Sequence, residues 1–166
     1  MASVTAIFIA RSAQAPMESI AVADVEAGRG IIGDRYHAGA GTWSKPGEEH
    51  LDRRQVTLVE SEAVEAVARD YGIALGADLT RRNIVTRGIA LNHLVGAEFT
   101  VGSVRLRGVK LCEPCAHLER VAGQLIRRPL VHRGGLNCEV LTTGRVEIGD
   151  TIAVSSTVAA SAQLPA

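Results

Sequence analysis

The segment Leu111-Cys112-Glu113-Pro114-Cys115-Ala116-His117-Leu118-Glu119 gathers two thiols, an imidazole and two carboxyl groups in one short stretch. Pro114 keeps the chain extended just before a helix, so Cys115 is expected at or near that helix's N-terminus. Free N–H groups and the helix dipole favour a thiolate there, and a thiolate is the better nucleophile or soft-metal ligand. A single cysteine can also be an inert small hydrophobe. A Pro-Cys at a strand-to-helix junction suits the reactive alternative better. Cys112 completes a C-x-x-C with three readings. A zinc site would draw two further ligands from His117, His132 and Cys138, yet no second C-x-x-C or paired-His motif completes the set. A dithiol couple of the thioredoxin type belongs near a βαβ pattern, and none is read here. Otherwise Cys112 is a strand residue beside the functional thiol. Cys138, in an apolar run, reads as structural.

Three further groups could bind a ligand. Gly30-Ile31-Ile32-Gly33-Asp34-Arg35-Tyr36-His37 is followed by a Gly-rich stretch over residues 38–42. Glycines at this density let backbone approach a ligand, and Asp34, Arg35 and His37 supply polar groups. The spacing is not that of a phosphate loop. The alternative is a turn in which Asp34 caps its own backbone. Arg81-Arg82-Asn83 and His132-Arg133-Gly134-Gly135 are basic, loop-placed groups whose arginine forks suit an anion such as phosphate. They could equally be solvated surface loops. If they are functional, the loops at Asp34, Asn83 and Arg133 must converge on the pocket holding Cys115, as loops do at the end of a barrel.

The elements that would position these groups are short. Aliphatic and β-branched runs cover residues 4–9, 20–25, 55–59, 84–86, 99–101, 104–109, 139–142 and 151–154, separated by Gly-containing turns. Gly102-Ser103 and Thr143-Gly144 both read as hairpin turns. Two segments have helical period. One starts at Ser61, its N-cap candidate, runs through Ala63, Val64, Val67, Ala68 and Tyr71, and stops at Gly72. The other places Leu118, Val121, Ala122 and Leu125 on one face and ends before Pro129. The expected fold is mainly β, a closed or partly closed antiparallel β-barrel with two or three short helices across the sheet. One domain over residues 4–154 and a loose Ser/Ala-rich tail over 155–166 complete the expectation. With aromatics at only 3%, the core must be aliphatic.

Eighteen basic and eighteen acidic residues cancel, which leaves no field to steer nucleic acid or an anionic membrane. No apolar run approaches the ~18 residues of a membrane span. No secretory signal is read, and three cysteines fit reduced thiols, so a cytoplasmic protein is expected. The oligomeric state is left open.

In order along the chain, Gly30-Ile31-Ile32-Gly33-Asp34-Arg35-Tyr36, Gln55-Val56-Thr57-Leu58-Val59-Glu60, Arg82-Asn83-Ile84-Val85, Leu94-Val95-Gly96, Val101-Gly102, Pro114-Cys115 with Leu118, Arg133-Gly134-Gly135, and Gly144 with Gly149-Asp150 resemble the MOSC family. The match runs from about Val4 to Val154, and eight weak motifs in a fixed order make a specific signal. The family's domain occurs in molybdenum-cofactor sulfurases, in molybdenum-dependent reductases of N-hydroxylated compounds, and alone in bacteria. The resemblance therefore implies a β-barrel that binds molybdenum cofactor (molybdopterin). Cys115 would ligate the metal or handle sulfur, and Asp34, Arg35, Arg82, Asn83, Arg133 and Gly134 would hold the pterin and its phosphate. It implies either two-electron reduction of an N-hydroxylated substrate or a non-catalytic carrier of cofactor or persulfide sulfur. Nothing in the chain resembles the pyridoxal-phosphate domain of a full sulfurase, so that cofactor is not expected. No flavin, haem or iron–sulfur pattern is present, so a reductase would need electron-transfer protein partners.

Overall fold

A computed structural model describes residues 1–47 and 54–155. Among the described residues eleven strands and two α-helices are formed, and strand pairing decides the architecture. The strands are β1 (Ser3–Ile9), β2 (Glu18–Ile20), β3 (Val22–Glu26), β4 (Gly30–Ile31), β5 (Val56–Glu60), β6 (Ile84–Arg87), β7 (Glu98–Val101), β8 (Val104–Leu111), β9 (Leu136–Val140), β10 (Gly144–Glu147) and β11 (Ile152–Val154). Eight of them form one curled sheet in the order β11-β7-β8-β9-β5-β6-β1-β2, and β10-β3-β4 form a second. The amide of Ile152 donates to the Ala2 carbonyl at 2.9 Å and that of Val4 to the Asp150 carbonyl at 2.9 Å. A bridge between Ser3 and Thr151 thus joins the first strand to the last and brings the curled sheet to closure.

Alternation in the strands explains the core. β7 and β8 turn Phe99, Val101, Val104 and Leu106 inward, and they meet Val4, Ile7, Leu58, Ile84, Leu136 and Val140 from the neighbouring strands. The three-stranded sheet adds Ala23, Val25, Ile31 and Val146 to the same cluster, so both sheets share one core. Phe99 and Tyr36 are the aromatic members of an otherwise aliphatic interior. The Gly102-Ser103 hairpin forms as expected, with Val101 opposite Val104 and φ +56° at Gly102.

Several local expectations are corrected. Residues 20–25 do not form one strand, because Ala21 separates β2, which pairs with β1, from β3, which pairs with β10. Thr143-Gly144 is not a hairpin turn, since β9 lies in the large sheet and β10 in the small one; the segment carries the chain between sheets. Ser61 is the first residue of α1 (Ser61–Tyr71), with Glu60 as N-cap. The second helix, α2 (Ala116–Ala122), is shorter than the apolar period suggests. Gly123 ends it in the left-handed conformation, φ +66°, and Leu125 is left exposed. A βαβ unit is also present after all, because β5 and β6 pair in parallel through α1. The C-x-x-C follows β8, outside that unit. Most of the expected tail, residues 156–166, lies outside the described residues. Among the described residues no helix is long and apolar enough to cross a membrane.

Candidate functional site

A cavity of about 320 Å³ opens at one end of the sheet, within the ~300–1,000 Å³ range of small-molecule sites. Its floor is a row set by strand register: Thr57 of β5 faces Asn137 of β9, which in turn faces Lys110 of β8. The segment leaving β8 forms one wall with Cys112, Glu113 and Cys115. Arg81 and Arg82, leading into β6, and Arg35 and Tyr36, following β4, complete the lining, with Trp43 and Arg54 at the rim. Among the described residues, five cationic side chains line the cavity, Arg35, Arg54, Arg81, Arg82 and Lys110, against the single carboxylate of Glu113.

Arg81 and Arg82 define the electrostatics. Arg81 has φ +58°, an uncommon conformation for a residue with a Cβ, and its guanidinium donates to the carbonyls of Ala15 (2.8 Å) and Ala13 (2.9 Å). Arg82 donates to the carbonyls of Gly134 (2.8 Å) and Cys112 (2.9 Å). Both residues are buried, and among the described residues neither is within ion-pair distance of a carboxylate. Burial, then the neighbouring Arg35 charge, pushes the Arg81 guanidinium below its ordinary value. Buried cations held only by carbonyl dipoles are stabilised by an anion that enters beside them.

Gly134 makes this wall possible. A Cβ there would stand 2.6 Å from the Cys112 carbonyl oxygen and 3.0 Å from Pro114, so only glycine lets the two segments close on Arg82. Glu113 is anchored by the next loop: the His132 amide donates to it at 2.9 Å and the His132 ring nitrogen lies 3.1 Å away.

Cys115 is the N-cap of α2, half-buried, on the cavity wall. Its other side meets the apolar cluster of Val67, Leu118, Ile126 and Leu130, which packs α2 against α1. Cys112 lines the same cavity. Cys138 is fully buried under the floor, and burial, then the nearby Cys112, pushes its thiol well above the ordinary range. Among the described residues no three His, Cys, Asp or Glu side chains cluster to hold a metal ion, so the C-x-x-C lacks a third ligand of that kind for zinc.

The cavity thus brings together Arg35, Arg82 and Cys115, with Gly134 packed behind Arg82. Asp34 and Asn83 lie behind the wall and do not line the cavity. Asp34 is 1% exposed and accepts from the amides of Ala10 (3.0 Å) and Tyr36 (3.1 Å), from Arg35 (3.0 Å) and from Asn83 (3.2 Å). The Tyr36 bond is the turn-capping alternative realised. Asn83 accepts from the Thr57 amide and hydroxyl, both at 3.1 Å, and donates to the Phe8 carbonyl and Asp34. Arg133 does not line the cavity either. Its guanidinium donates to the Pro129 carbonyl at 2.6 Å and reaches Asp70 at 3.4 Å, away from the cavity. His37 pairs with Glu26 at 2.6 Å, also away from it. His117 lies beside the cavity mouth near Thr42 and Arg120, and burial, then Arg120, pushes its pKa down.

The cavity lining also includes Trp43, Arg54, Lys110 and Asn137, which sequence reasoning did not single out. Two signals were available. Trp43 is the only tryptophan in an aromatic-poor chain, and Asn137 is an amide inside a strand.

The MOSC domain model matches residues 34–153. No curated protein matches the chain in sequence. Among solved structures, the YuaD protein from Bacillus subtilis superposes with a TM-score of 0.75 at 22% identity, covering 93% of this chain and 96% of that one. YiiM from Geobacillus stearothermophilus gives 0.69 at 14%, covering 93% and 75%. YiiM from Escherichia coli gives 0.65 at 14%, covering 94% and 70%. These likenesses confirm the fold, and the extent of the model match settles membership: the chain belongs to the MOSC domain family.

Proposed function

We propose that this cavity binds molybdenum cofactor and that Cys115 is the protein's thiolate ligand to the metal. The observation that carries the reading is the buried Arg81–Arg82 pair, without a carboxylate partner among the described residues, on the same cavity as a half-buried thiol. The donor set fits the group. A soft thiolate suits a molybdenum–sulfur centre, and guanidinium forks suit a phosphate. Cys115 would hold the metal, while Arg81, Arg82 and Arg35 would neutralise the phosphate and Asn137 and Lys110 would lie under the organic part. When bound, the cofactor would supply two-electron and oxygen-atom chemistry.

The protein's own residues then have plain tasks. Leu111, Leu118, Tyr36 and Trp43 give the cavity its apolar lining, and Glu113, held by His132, adds a carboxyl group to its wall. The reaction we assign is reduction of an N-hydroxylated substrate, R–NHOH with two electrons and two protons giving R–NH₂ and water. The electrons come from a separate electron-transfer protein, in keeping with the absence of any sequence pattern for a second redox group. A reducing, cytoplasmic setting suits the three free thiols.

The test is molybdenum and pterin content of protein purified from molybdenum-replete and molybdenum-starved hosts, followed by turnover of hydroxylamines and amidoximes with an added reductant. Stoichiometric cofactor with turnover is expected. Cofactor without turnover would replace the enzyme with a carrier of cofactor or sulfur. Neither metal nor pterin in the replete host would remove the reading.

A further inference from the structure

The cavity floor holds one buried polar atom without a hydrogen-bond partner among the described residues. Asn137 is 4% exposed and lines the cavity between Thr57 and Lys110. Its Nδ2 donates to the Leu111 carbonyl at 3.4 Å, which fixes the amide's orientation, because the reversed amide would set oxygen against oxygen. Its Oδ1 has no hydrogen-bond partner among the described residues. Buried acceptors are rarely left this way. Asn83 shows what the fold does when no ligand is involved: both its Oδ1 and its Nδ2 are doubly engaged. Thr57 cannot help Asn137, since its hydroxyl donates to Asn83 Oδ1 and accepts from the Asn83 amide. Arg82 is likewise committed to two carbonyls.

We propose that Asn137 is a specificity-determining residue whose Oδ1 accepts a hydrogen bond from an N–H or O–H group of the molecule occupying the cavity. The cations around it reward an anionic group, and Asn137 adds a requirement that charge alone does not meet: a donor hydrogen placed on the floor. This rests on the reading of the cavity as a ligand site. Within the proposed function two sources offer such a donor, a ring N–H of the pterin and the N–H or N–OH of the substrate.

Trp43, the only tryptophan, lies at the rim and reports occupancy by its fluorescence. Cofactor-free protein from a molybdenum-starved host is titrated with benzohydroxamic acid and with its N,O-dimethyl derivative, which has no donor hydrogen. The native protein is expected to prefer the first by about tenfold or more, because a polar site left unpaired rejects the analogue that lacks the group. Asn137→Leu should bind the two within about twofold, while Asn137→Asp, which keeps an acceptor, should retain the preference. Thermal unfolding of cofactor-free Asn137→Leu should be no lower than native, since the change removes an unsatisfied buried group. Pterin content after growth with molybdenum separates the sources: full pterin in Asn137→Leu assigns the donor to the substrate, and lost pterin assigns it to the cofactor. If native protein holds no pterin yet discriminates between the hydroxamates, the proposed cofactor fails and this inference stands. Equal binding of both compounds by native protein, binding of neither, or a lowered unfolding temperature with discrimination intact in Asn137→Leu would overturn it.

Discussion

Two polar clusters lie back to back in this molecule, and they differ in how completely they are satisfied. Behind the cavity wall, Asp34 and Asn83 bond to each other, to Thr57 of the cavity floor and to neighbouring backbone until their side-chain donors and acceptors are used, tying β1, β5, β6 and the turn after β4 together. On the cavity side, among the described residues, Arg81 and Arg82 carry buried charge without a carboxylate partner and Asn137 Oδ1 has no hydrogen-bond donor. Saturation marks a cluster that holds the fold. Incompletely compensated polar groups around a cavity mark one that waits for a ligand.

The largest effect should come from the saturated cluster. Asp34→Ala removes four accepted bonds and leaves Arg35 buried without its carboxylate, so unfolding free energy should fall by about 3–5 kcal/mol in a urea titration. A loss under ~1 kcal/mol would mean that Asp34 is not structural and would erase the contrast. Arg82→Met probes the other side. It frees the Gly134 and Cys112 carbonyls, which costs about 1–3 kcal/mol, while cofactor retention should drop by about tenfold or more. Retention falling only in proportion to the folded fraction would place Arg82 with the structural group. The smallest effect is expected at Arg133, whose pair with Asp70 is partly exposed. Arg133→Ala should change stability by about 1 kcal/mol or less and leave cofactor content at the native level. Loss of cofactor there would mean that the cavity extends beyond the walls described above.

These contrasts show what could be read from residues alone. Cys115 at a strand-to-helix junction was legible because its causes are local: a proline before it and a helical period after it. The hairpin at Gly102 and the aliphatic core were legible for the same reason. Arg82 and Arg133 were indistinguishable, since both are loop arginines beside glycine or asparagine. What separates them is position in space, Arg133 having found Asp70 while Arg82 turned inward to two carbonyls. The Thr57–Asn137–Lys110 floor depends on cross-strand register, which brings together residues from three separate parts of the chain. No local pattern encodes it. The parallel pairing of β5 with β6 was hidden likewise, because an amphipathic helix after a strand does not specify which neighbour the next strand will join. Asp34 and Asn83 are buried and bonded to the protein's own groups, which the sequence could not show. A polar residue that must be buried looks the same in sequence whether its partners are the protein or a ligand.

The central claim is that one thiol of the C-x-x-C carries the function although both line the cavity. It is tested most directly by measuring molybdenum and pterin in Cys115→Ser and Cys112→Ser, purified side by side from a molybdenum-replete host. Serine is a harder and far less acidic ligand than cysteine, so Cys115→Ser should lose the metal while Cys112→Ser retains it at the native level. Equal loss in both would contradict the single-thiolate account and return the pair to a shared disulfide or metal site.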